Sequence, residues 1–114
     1  MNSYQRFSKR LRGEAVDRPP NFDIMMTFAA HYINQPLSRY YSDYRVLCEA
    51  NLAVLQDFDL DIVQAISDPY RETADFGAEV ELPDDDMPMS MIPLIQEPED
   101  IKNWSNPALT PVSG

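Results

Sequence analysis

Asp68 ends the stretch from residue 59 to 68, DLDIVQAISD, in which Ile62, Val63, Ala65 and Ile66 form a short apolar run rich in β-branched residues. Such a run predicts a strand buried on both faces, and Pro69 stops it. The Asp68 carboxylate then stands at the carboxyl end of a buried strand, where ligands and catalytic groups collect in α/β sheets. The same aspartate, in Ser67-Asp68-Pro69, also suits the start of a turn or the cap of the next helix. His31 is the sole histidine. Its imidazole can donate a hydrogen bond, although a histidine beside Tyr32 on a helix is more often a packed side chain. Cys48 is the sole cysteine; it falls among apolar neighbours in a long helix and reads as core. One cysteine and one histidine cannot build the usual zinc cages, so no metal or cofactor site is expected within this chain.

The elements that must position these groups can be read in order. Residues 3–11 predict a short helix with Ser3 as its cap, Tyr4, Phe7 and Leu11 on one face, and Gly13 at the left-handed exit. Residues 14–20, EAVDRPP, are a rigid connection. Residues 22–26 alternate as a first strand, residues 27–33 look helical, and Gln35-Pro36 breaks that helix before a further turn at 37–41. Ser42 then caps the strongest helix, 43–58, whose apolar stripe is Leu47, Ala50, Val54 and Phe58. Beyond the strand at 59–68, residues 70–75 make a short turn of helix and GAEVEL, 77–82, an edge strand. Residues 83–93 are a loop rich in proline and methionine, read as gap filling or as a partner-docking surface. Residues 97–104 predict a last helix, and residues 105–114 a frayed tail.

The net charge of -10 and pI near 4.3 argue against nucleic-acid binding, which needs clustered cations. The basic residues near the start, Arg6, Lys9, Arg10, Arg12 and Arg18, read as a solvated helix face. No apolar run reaches the ~20 residues of a membrane span, so no membrane partner is expected. The N-terminus lacks a secretory h-region and no disulfide can form within the chain, so the expected location is cytoplasmic.

Read with its residues, this order of elements resembles the uroporphyrinogen decarboxylase family. RFSKRLRGEAVDRPP, residues 6–20, is similar to that family's opening. SRYYSDYRVLCEANLAVLQDFDLDIVQAISD followed by FGAEVELPDD is similar to its next segment, where a Ser-Asp ends a barrel strand. The likeness runs from Ser3 to Trp104. The fold class it implies is α/β, the N-terminal portion of a (β/α)₈ TIM barrel, incomplete in this chain because a whole barrel takes about 250 residues. Residues 1–104 would be that portion, from a truncated gene product or one half of a split enzyme, inactive alone. The resemblance implies a catalytic role for Asp68: protonating a pyrrole develops positive charge, which a fixed carboxylate in a low-dielectric cleft stabilises. It also places Thr27 and His31 where two substrate-clamping arginines of the decarboxylases stand, and so marks both as substrate-binding positions. Losing two cations weakens the grip on an octa-anionic porphyrinogen. The methylcobamide:coenzyme M methyltransferase branch of the same family tolerates that loss better. The implied partner is a tetrapyrrole or corrinoid-linked substrate, with zinc and a corrinoid in the complete enzyme of the methyltransferase branch. A second chain supplying the rest of the barrel, or a homo-oligomer, would cover the open strand edges. The alternatives are a non-catalytic interaction module and a small self-sufficient α+β protein.

Overall fold

A computed structural model describes residues 1–104 of the chain. Helix α1 (Ser3–Leu11) opens with a capping box: the Asn2 side chain accepts from the Gln5 N–H, and the Gln5 side chain accepts in return from the Asn2 N–H. The cap is therefore Asn2, one residue earlier than the sequence suggests. Gly13 leaves the helix at φ 74°, in the left-handed region where a Cβ is disfavoured.

The core is built by α2 (Met26–Tyr32), α3 (Leu37–Ser42) and α4 (Tyr44–Phe58), which pack on one another. Ala29 and Ala30 let α2 approach closely, and Leu37, Tyr40, Leu47, Ala50, Val54 and Leu60 complete the buried cluster. Asp43 caps α4 by accepting the Arg45 N–H at 3.0 Å, so the cap again lies one residue from the expected Ser42. The apolar stripe of α4 is buried at Leu47, Ala50 and Val54, whereas Phe58 is half exposed. Cys48 is exposed, contrary to its reading as core. Tyr44, Cys48 and Leu52 recur four residues apart on the outer side of α4, and that side is open.

Helix α1 contradicts its expected orientation. Arg6 is 7% exposed while Tyr4 is 80% and Leu11 72% exposed, so the helix docks by a cation and leaves two of its three stripe residues outside, Phe7 alone being half-buried. Arg6 is thus no part of a solvated face.

No strand forms among the described residues; an isolated antiparallel bridge joins Glu81 to Met89. The first strand expected at 22–26, the buried strand at 59–68 and the edge strand at 77–82 are all absent as ladders. The reason at residues 61–66 is a lack of neighbours. A parallel strand buried on both faces needs a ladder on each side, and here the Asp61 N–H to Asn21 O bond (2.8 Å) is the one backbone link. Val63 and Ile66 are 39% and 37% exposed, so the segment lies at the periphery. Side chains hold it instead. Asn51 Nδ2 donates to Gln64 O (2.8 Å) and the Tyr40 hydroxyl to Ile66 O (3.3 Å), both from the helical core.

Helix α5 (Arg71–Asp75) follows as expected, and the expected last helix is a 3₁₀ turn, Pro98–Asn103. Among the loop methionines, Met87 packs against the core, whereas Met89 and Met91 are exposed. The frayed tail expected at 105–114 lies outside the described residues. The radius of gyration is 18.2 Å, against about 13 Å for a compact domain of this length. The small core and this spread describe a layer of helices with an uncovered face, and no barrel within these residues.

Candidate functional site

Asp68 is almost fully buried. Both of its carboxylate oxygens are engaged locally: Ser67 Oγ donates to Oδ2 (2.9 Å) and the Tyr70 N–H donates to Oδ1 (2.8 Å). The second contact is an Asx turn that starts α5, so the turn-forming geometry anticipated for this residue is present. Such bonds fix the carboxylate and leave it further lone pairs.

Tyr41 reaches the acidic loop. Its hydroxyl donates to Pro83 O. Burial, and then the negative charges of Asp84 and Asp68, push the Tyr41 phenol above its ordinary range. From Pro83 the chain crosses α3. Ser38 donates twice to Asp84, from its N–H to the carbonyl and from Oγ to Oδ1, each at 2.8 Å. Asp85 Oδ1 accepts the Leu37 N–H and meets His31 Nε2, each at 2.9 Å. The His31 contact, followed by the Leu37 N–H, holds the Asp85 carboxyl below the usual carboxylate range. The acidic loop, read from sequence as a surface for a partner or as filler, docks here on its own chain.

His31 and Thr27 are both exposed on α2, with His31 in the last turn and Thr27 in the first. They lie four residues apart and so share a face. His31 is joined to the loop through Asp85, while the hydrogen-bond partners of Asp68 are its neighbours Ser67 and Tyr70.

The second constellation escaped the sequence reading. Asp61, whose side chain is 1% exposed, accepts from Ser3 Oγ (2.8 Å), Arg6 Nη1 (2.6 Å), the Arg18 guanidinium (2.6 Å) and the Asn21 N–H (2.6 Å). Arg6 also forms a fork with Asp17, at 2.7 and 2.8 Å. Burial alone would raise the Asp61 carboxyl, but the Asn21 N–H, Arg18, Ser3 and Arg6 outweigh it and hold the group far below its ordinary range. The signal was available. Arg6 and Arg18 face Asp17 and Asp61 across the segments 6–18 and 59–61, opposite charges that can pair. This knot ties α1 to the segment leading to Asp68, which makes it architecture for the site.

No group of three or more His, Cys, Asp or Glu side chains suited to a metal exists among the described residues. No helix among them is long and apolar enough to cross a membrane.

The model of the uroporphyrinogen decarboxylase (URO-D) family matches residues 2–112. The chain belongs to the URO-D family. No curated protein and no solved structure matches it. The URO-D family is one of TIM-barrel enzymes, and the match spans Thr27, His31, Asp61 and Asp68 alike.

Proposed function

We propose that this chain is the opening part of a URO-D-family barrel enzyme that acts on a tetrapyrrole or corrinoid-linked substrate, by decarboxylation or by cobamide-dependent methyl transfer. The family match over residues 2–112 carries the reading. Residues 21–25 and 61–66 are the first two strand positions of that barrel. The Asp61 to Asn21 backbone link, which sets the two segments side by side, supports this. Their missing ladders are those that further strands of a barrel of about 250 residues would supply. Alone, the chain binds ligand but does not turn it over.

In this reading Asp68 is the fixed negative charge. Proton transfer to a pyrrole carbon makes a cationic intermediate, and a carboxylate already oriented by Ser67 and the Tyr70 N–H stabilises it without reorganising. His31 and Thr27 meet carboxylate side arms of the substrate. One imidazole and one hydroxyl replace two guanidinium forks, so the grip is weak and selective for few carboxylates. If the complete enzyme is of the methyltransferase branch, zinc and corrinoid sit on residues beyond those described.

Titrating the 114-residue chain with uroporphyrin I, followed by Soret absorbance, tests the reading. Binding should weaken about three- to tenfold in His31→Ala, the loss of one solvent-exposed hydrogen bond. Absence of binding at millimolar chain, or binding indifferent to His31→Ala, refutes it.

A further inference from the structure

Residues 82–88 form a loop closed at its base by the Glu81–Met89 bridge, with paired backbone bonds of 2.8 and 3.1 Å. One end is anchored: Pro88 is fully buried and Met87 packs on the core. The other end is held by the Tyr41 hydroxyl on Pro83 O. Between these anchors lie Asp84, Asp85 and Asp86, all exposed, attached to the body by polar contacts alone. No lysine or arginine among the described residues forms an ion pair with any of the three; His31 is the one basic side chain paired there. Adjacent carboxylates repel, and exposed pairs are weak. The middle of the loop is therefore held lightly over a rigid base, the arrangement of a movable lid.

Its occupant role follows from what it touches. Asp85 presents a carboxylate to His31 Nε2, the group that a carboxylate of a ligand would also need. We propose that Asp85 is an internal competitor for His31, and that residues 84–86 form a strap that lifts when His31 takes a carboxylate from a ligand. The inference rests on the reading of His31 as a carboxylate-binding residue and adds a gate to it. Lifting frees Ser38 Oγ at the same moment, because Asp84 leaves with Asp85. Ligand capture at α2 is thereby coupled to uncovering the first turn of α3.

The test combines uroporphyrin I affinity with amide hydrogen exchange in the full chain. Asp85→Ala removes the competitor, so affinity should rise about three- to tenfold, the worth of one solvent-exposed contact. Exchange at the Leu37 amide should quicken, since its acceptor is gone. Asp84→Ala, which removes the Ser38 Oγ bond, leaves the Ser38 N–H bond to its carbonyl and does not touch His31, serves as the second variant. It should tighten binding about two- to threefold, a weaker neutral-donor contact. Unchanged or weaker binding in both variants overturns the strap, and leaves the carboxylate-binding reading standing if His31→Ala still weakens the wild type. If the wild type and both variants all fail to bind, the reading of His31 falls, and the gate falls with it.

Discussion

Replacing Asp61 by alanine should release helix α1 and destabilise the fold by about 3 kcal/mol. The side chain is 1% exposed and accepts from Ser3, Arg6, Arg18 and the Asn21 N–H. Deleting one partner of a buried ion pair costs about 3–5 kcal/mol, because the remaining charge stays out of water unpaired. Two facts favour the lower end. Arg6 keeps its fork to Asp17, and the Arg18 side chain is 37% exposed, so water takes over part of its lost pairing. Apart from the knot, α1 is held through the edge-to-face contact of Phe7 with Phe22, at 6.5 Å between centroids. That contact is worth about 1 kcal/mol. The knot therefore decides whether α1 stays docked. Urea unfolding at pH 7 gives the global cost, and amide exchange over residues 3–11 reads α1 directly. Protection of α1 equal to wild type, or a loss below about 1 kcal/mol, would refute this account of what holds the helix.

Tyr40→Phe should cost about 1–2 kcal/mol in the same urea assay, because Asn51 Oδ1 and Ile66 O lose their common donor inside the core; a neutral result would mean the hydroxyl holds nothing. Stability should be flat from pH 8 to 5 and decline below about pH 4. The carboxyls of Asp61, Asp17 and Asp85 are all depressed in the folded chain. Their contribution is present above the unfolded value near 3.9 and is lost as pH falls toward the folded values. Thermal melts by circular dichroism at pH 7, 5 and 3 check this, and melting that is highest at pH 3 would contradict it.

The helices were legible because their signals are local. The stripe of α4, the Gly13 exit and the break at Gln35-Pro36 each specify a helix or its end from within a few residues, and the observed bounds agree to within two residues. The segment 61–66 was misjudged for the converse reason. Its β-branched run records what the chain needs from neighbours, and ladders depend on partners that do not occur among the described residues. Arg6 was misplaced because helical periodicity ranks residues by hydropathy. It cannot see that Asp61, 55 positions later, offers a buried cation better company than water does. At the site, the types were legible and the geometry was not: nothing near His31 in sequence announces Asp85, 54 positions away. Asp68 sits in the turn that its flanking Ser and Pro already suggested.

The interlock around Asp61 also constrains how this chain can change over generations. Losing the aspartate alone strands two guanidinium groups, and losing one arginine alone strands the acid, so each single step is penalised where a concerted one is not. Positions 6, 17, 18 and 61 should accordingly be inherited as a unit, and a related chain lacking one of them should carry uncharged residues at the others.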